Sequence, residues 1–291
     1  MEKSSSRSEQ GSNGAAHSDE LFQSGRRAEQ AGHLDEARRS YELGLSYAGD
    51  HHVWQYRLGC VFLKLDVPEM AEPCFRQALE GNSSRAAYWA NLGLALDRQG
   101  CREESIRAYR KASLQEGGSA VACHNLGSIY AEEGRTEEAI RFYEEAISLE
   151  PDAEGYLNLG LVHFAAEDFS RAMASFDHCV EADPLFALGH YYAGLCLMKR
   201  GNYEPTISRL ETAWKLDPRL VRIPFHLGVC MHKLQCYDQA RNFLERALES
   251  FPEDGRLHYQ MALTCDAMGL PQDARQHFSR SRAAFQDGGS S

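Results

Sequence analysis

Three asparagines, Asn91, Asn125 and Asn158, stand 34 and 33 residues apart. A side-chain amide offers N–H donors and a carbonyl acceptor, the same two groups that a peptide backbone carries. A row of such amides brackets an extended chain with little regard to its sequence, each bond contributing about 1 kcal/mol net. Histidine and cysteine offer a second chemistry. His226, Cys230 and His232 contain one i,i+4 pair, and His163 falls in a repeat column beside that of Cys196. Neither set has the ligand spacing of a zinc site, and His163 stands where related segments carry tyrosine, so it reads as a packed core residue. No nucleophile elbow, P-loop, dinucleotide fingerprint or HExxH occurs. The expectation is a chain without catalytic residues, cofactor or metal.

The asparagines are in register with a pattern that fills the chain. Its clearest column is glycine, at Gly25, Gly59, Gly93, Gly127, Gly160, Gly194 and Gly228, with Ala262 in the eighth place. A small column follows (Ala37, Ala71, Ser105, Ala139, Ala172, Thr206, Ala240, Ala274), and four residues further on a large one: Tyr41, Phe75, Tyr109, Tyr143, Phe176, Leu210, Leu244, Phe278. Repetition at this period signals a solenoid, in which each segment buries its apolar face on its neighbours. Glycine inside a helix costs about 1 kcal/mol relative to alanine, so a sevenfold glycine column implies close approach by a second helix carrying the large residue. Gly32, Gly100, Gly134, Gly201 and Gly269 fit helix C-caps. Pro151, Pro184, Pro218 and Pro252 end helices. Pro68, Pro205, Pro224 and Pro271 fit first turns, whereas Pro73 falls inside a helix and should kink it.

The columns match W-x2-L-G-x2-Y, A-x3-F and P, as in Trp89, Leu92 and Gly93, or Leu126, Gly127, Tyr130, Ala139, Tyr143, Ala146 and Pro151. In these residues the chain resembles the tetratricopeptide repeat family. The resemblance implies an all-α fold, a right-handed α-solenoid of eight helix-turn-helix segments starting near Ser18, His52, Ala86, Ala120, Ala153, Ala187, Val221 and Gly255. It spans residues 18–285, between a disordered tail over 1–17 and another over 286–291. The hydrophilic first and last helices read as caps, which makes the chain look complete. The resemblance also implies that the first (A) helix of each segment lines a concave groove through positions 2, 5, 6, 9, 12 and 13. Position 6 holds Asn91, Asn125, Asn158, Tyr192 and His226, and the three asparagines resemble the ladder in the repeats of O-linked N-acetylglucosamine transferase. Position 5 holds Tyr56, Tyr191, Phe225 and Tyr259, and position 12 holds Phe164. Lys199, Arg222 and Arg256 add a basic stretch able to orient an acidic segment.

Composition narrows the partners. The net charge of −11 on 291 residues disfavours nucleic acid and anionic membranes. No apolar run of about 18 residues exists, and the first residues lack the apolar stretch of a signal peptide. Nine cysteines without a CxxC pair read as small packing residues in a reducing, cytoplasmic setting. The carboxylate clamp that receives Hsp70 and Hsp90 tails needs Lys and Asn where this chain has Tyr56 and Cys60, or Ala90 and Leu94. The leading expectation is therefore a non-catalytic adaptor binding an extended peptide segment of a partner protein. The alternatives are a structural scaffold acting through its convex face or self-association, and a chaperone for a secreted client.

Overall fold

The computed structural model describes residues 5–47 and 51–287, with side chains from residue 17 to residue 286 outside that gap. It divides the chain into two compact units, Met1–Glu150 and Pro151–Ser291. The first holds α1 (Ser5–Gln30), α2 (Leu34–Leu45), α3 (His51–Lys64), α4 (Pro68–Gly81), α5 (Ala86–Arg98), α6 (Arg102–Ser113), α7 (Ala120–Glu132) and α8 (Thr136–Leu149). The second holds α9 (Ala153–Ala165), α10 (Phe169–Ala182), α11 (Ala187–Lys199), α12 (Tyr203–Leu216), α13 (Ile223–Lys233), α14 (Tyr237–Ser250), α15 (Gly255–Ala267) and α16 (Pro271–Asp287). Strands are absent from the described residues.

Each odd-numbered helix pairs with the even one that follows it. Within each unit the second (B) helix of a hairpin also packs on the A helix of the next hairpin, and neighbouring A helices touch. The reason lies in the glycine column. A Cβ placed on Gly93 would sit 2.6 Å from the Tyr109 ring, and one on Gly160 would sit 2.5 Å from Phe176. The large column fills the notch that the missing side chain leaves, with Tyr41, Phe75, Tyr109, Phe176, Leu210 and Leu244 fully buried. Close-packed interiors leave no slack for an added methyl group there.

Five hairpin turns place glycine at positive φ, from 71° at Gly134 to 78° at Gly32 and Gly201. The other three put Asp66, Glu167 and Gln235 into the same left-handed region, at 59°, 59° and 62°. Asp152, Asp168, Asp254 and Ser119 cap their helices through side-chain oxygens that accept backbone N–H bonds. The four interhairpin prolines each lie just beyond a B helix, as expected from their missing donor. α4 continues through Pro73, which sits on its exposed side where water can serve the freed carbonyl.

The N-terminus differs from expectation. α1 begins at Ser5, so most of the stretch read as a disordered tail is helical. No proline interrupts residues 5–30, and the packed segment from Asp19 onward supplies the nucleus from which a helix extends at low cost. The His17 ring meets Tyr47 edge-on, with centroids 5.1 Å apart. At the other end α16 reaches Asp287, and the remaining residues of the expected C-terminal tail lie outside the described residues.

Candidate functional site on the A helices

In the first unit, Asn91 projects from α5 and donates twice through Nδ2, to the Tyr56 hydroxyl at 3.0 Å and to the Ala87 carbonyl at 3.0 Å. Its donors are engaged within the fold, leaving the carbonyl oxygen as its outward resource. Tyr56 stacks on Tyr88, with centroids 4.5 Å apart and 27° between planes. Burial raises the Tyr56 phenol well above its ordinary pKa, so it stays neutral. Asn125 on α7 is half-buried, and among the described residues no hydrogen bond occupies its amide. Of the three asparagines it presents the most available amide.

Glu29 anchors the start of this unit. Its carboxylate is 9% exposed and accepts from Lys64 at 2.6 Å and from the Tyr41 hydroxyl at 3.2 Å, with Arg57 at 3.7 Å. A buried carboxylate needs such company. Sequence reasoning missed this cluster, although Glu29 and Lys64 are 35 residues apart, the separation that also joins Tyr56 to Asn91.

In the second unit, Asn158 on α9 is half-buried. Phe164 meets Phe169 at 5.3 Å and Tyr192 at 6.3 Å, and Tyr192 stacks on Phe176 at 5.5 Å. Tyr191 lies against Tyr192, and its hydroxyl pairs with His226 Nε2 at 3.1 Å. Here too a position-5 tyrosine bonds the position-6 residue 35 places on, as Tyr56 does Asn91. Burial, aided by the Arg222 charge, lowers the His226 pKa to about 4, and its Nδ1 is buried without a partner among the described residues. Gln260 Nε2, at the same position of the last hairpin, is likewise buried without a partner. Phe225 flanks His226, and Tyr259 is 50% exposed above Phe278.

The basic stretch is less available than its sequence suggests. Arg222 donates to Asp254 at 2.6 Å and lies 4.3 Å above the Phe251 ring. Lys199 and Arg256 are exposed. Ala90 and Leu157, at position 5 of the third and fifth hairpins, are buried at 6%, so that position serves the core there.

The histidine and cysteine sets have local partners. His232 Nδ1 lies 3.1 Å from the Thr264 hydroxyl, Cys230 is fully buried, and His163 is 5% exposed. Among the described residues, no three His, Cys, Asp or Glu side chains are grouped to hold a metal ion. The cysteines are all free thiols, and only Cys101 and Cys236 are exposed. No described helix is long and apolar enough to cross a membrane.

Comparison with known proteins agrees with this architecture. Models of the tetratricopeptide repeat match residues 56–120 and 157–204, residues 120–152, and residues 235–290. Human tetratricopeptide repeat protein 7B is 36% identical over 80 residues, 28% of this chain and 10% of that one. Human tetratricopeptide repeat protein 7A is 31% identical over 101 residues, 35% of this chain and 12% of that one. This chain thus matches about a tenth of the length of either relative. Among solved structures, part of a repeat-containing protein from Cytophaga hutchinsonii aligns over 82% of this chain and 99% of its own, with TM-score 0.66 and 14% identity. YrrB, described as a TPR protein with an unusual peptide-binding site, aligns over 67% of this chain and 98% of its own, with TM-score 0.57 and 22% identity. MamA from Desulfovibrio magneticus RS-1 covers 58% of this chain and 96% of its own, with TM-score 0.55 and 21% identity. At these identities the three structures speak for the fold alone.

Proposed function

We propose that this chain, which belongs to the tetratricopeptide-repeat family, is a non-catalytic adaptor whose A helices bind an extended segment of a partner protein. The observation that carries the reading is the state of position 6. Asn91, Asn125 and Asn158 are half-buried, neither sealed in the hairpin packing nor free to swing in water, and the Asn125 amide has no competing partner among the described residues. Amides held in place lose little entropy on bonding a peptide. Tyr56 beside Asn91, and Phe164, Tyr191, Tyr192, Phe225 and Tyr259 in the second unit, supply rigid aromatic surface for apolar side chains. The position-6 set in the second unit passes from Asn158 to Tyr192 and His226, so backbone bonding gives way there to aromatic contact. Lys199 and Arg256 add exposed positive charge near that aromatic set, and Arg222, held by Asp254, contributes as a fixed dipole.

The test is affinity capture of partners on wild-type protein and on the Asn91→Ala, Asn125→Ala, Asn158→Ala triple variant. Three lost backbone bonds at about 1 kcal/mol each predict roughly a hundredfold loss of affinity, with helicity unchanged. Equal capture by the two proteins rejects the asparagine contacts.

A further inference from the structure

A second surface lies away from the A-helix positions, between the B helices of the sixth and seventh hairpins. A cleft of about 500 Å³ opens there between α12 and α14, within the ~300–1,000 Å³ usual for ligand sites. The buried Leu227 and the half-buried Trp214 and Phe243 line it, together with the exposed Pro218, Lys215 and Arg246. An adjoining cavity of about 360 Å³ shares Glu211, Phe243 and Arg246 and continues along α14 to the side-chain amides of Gln239 and Asn242. The combined cleft is elongated, with apolar depth at one end and amide donors and acceptors at the other.

Two features separate this cleft from ordinary hairpin packing. The Trp214 position holds Leu45, Leu79, Ser113, Ile147, Val180, Leu248 and Arg282 in the other hairpins, so packing there does not require an aromatic ring. The Phe243 position is small at Ser40, Cys74, Ala108 and Ser175 and large at Phe142, Arg209 and His277. Trp214 is thus the one aromatic in its repeat column, and it shares the cleft with the ring of Phe243. The second feature is charge. Nearby Arg209, Arg219, Arg222 and Arg241 are each paired with a carboxylate. Among the described residues, Lys215 and Arg246 have no carboxylate within 4.0 Å, in a chain whose net charge is −11. Arg246 instead lies 4.2 Å over the Trp214 ring. A guanidinium stacked on an aromatic face is held in orientation and keeps its N–H edge for a carboxylate.

We propose that this cleft docks an acidic peptide segment carrying a bulky apolar side chain, which inserts over Trp214 and Phe243 while flanking carboxylates meet Arg246 and Lys215. Glu211, the one acid in the lining, opposes an acidic segment, but the two cations outweigh it. The elongated shape and the Gln239 and Asn242 amides suit an extended backbone. This site is independent of the A-helix contacts and goes beyond them.

The experiment pans a random dodecapeptide phage library on the full chain and measures selected peptides by fluorescence anisotropy. The variants are Lys215→Glu/Arg246→Glu, Trp214→Ala and the triple asparagine-to-alanine protein. Lys215 and Arg246 are exposed, so their reversal leaves the fold intact, as circular dichroism will verify. The proposal expects a class of peptides with Asp or Glu beside Leu, Phe or Trp, weakened tenfold or more by charge reversal and by Trp214→Ala. That class binds the triple asparagine variant at wild-type strength. Peptides weakened only by the asparagine substitutions belong to the A helices. The proposal is overturned if no selected peptide responds to charge reversal, or if the responsive ones lack acidic residues.

Discussion

Acidification should weaken the second unit through His226, by an amount that follows from its surroundings. The imidazole is buried against Tyr191 and Phe225, and Arg222 adds a like charge, so the folded pKa falls from 6.5 to about 4. A base whose folded pKa is depressed binds fewer protons folded than unfolded. Its stabilising contribution is therefore complete above pH 6.5 and is lost as pH falls toward 4. Between pH 7 and pH 5 the linkage integral for these two values gives a loss of about 2 kcal/mol. His226→Gln keeps a polar side chain of similar length and removes the proton site. The assay is urea unfolding of both proteins at pH 7 and pH 5, monitored by exchange protection of α13 because solenoids need not unfold in one step. His232 and His277 are shifted in the same direction but are common to both proteins and cancel in the difference. Wild type should lose about 2 kcal/mol more than the variant. Equal losses, or a His226 ring titrating near 6.5 by NMR, refute the reasoning.

Two tyrosines of one column should respond oppositely to loss of the hydroxyl. Tyr109 is fully buried and its hydroxyl has no partner among the described residues, so Tyr109→Phe should stabilise the first unit by about 1 kcal/mol. Tyr41 donates to the Glu29 carboxylate, so Tyr41→Phe should destabilise by about 2 kcal/mol; a lower urea midpoint for Tyr109→Phe, or a higher one for Tyr41→Phe, would contradict that residue's assignment. Gly93→Ala gains about 1 kcal/mol of helix propensity but drives a methyl group into Tyr109. The net should be a loss of about 1–2 kcal/mol, checked by the same unfolding curve. Glu167→Gly relieves a left-handed backbone at φ 59° and should stabilise by about 1 kcal/mol, seen as slower amide exchange at the α9–α10 turn.

The hairpins were legible because their determinants repeat. A glycine every 34 residues with a large residue 16 further on specifies one close contact, and the structure makes it at Gly25–Tyr41 and Gly59–Phe75 alike. Repeat phase also located the position-5 and position-6 residues on the A helices. It gave no account of what each one bonds. Asn91 and Arg222 look identical in sequence to free side chains, yet Tyr56 and Asp254 hold them, because those partners come from neighbouring hairpins 35 and 32 residues away. The Glu29 cluster escaped notice for the same reason. The cleft at Trp214 was invisible to a reading centred on the A helices, since its signal is a B-helix tryptophan that breaks its repeat column. The helical extension of α1 before Asp19 was obscured by Ser- and Gly-rich composition, which speaks to intrinsic propensity and not to nucleation by an adjoining packed segment.

The central claim is that partners lie along the A helices. Site-specific photo-crosslinking tests it most directly, with a benzophenone side chain at position 56 or 259 on the A helices and at Glu144 on the B helix α8 as control. The account predicts adducts from positions 56 and 259 that map to a linear stretch of the partner and fade in the triple asparagine variant. Adducts from the α8 control alone would contradict it.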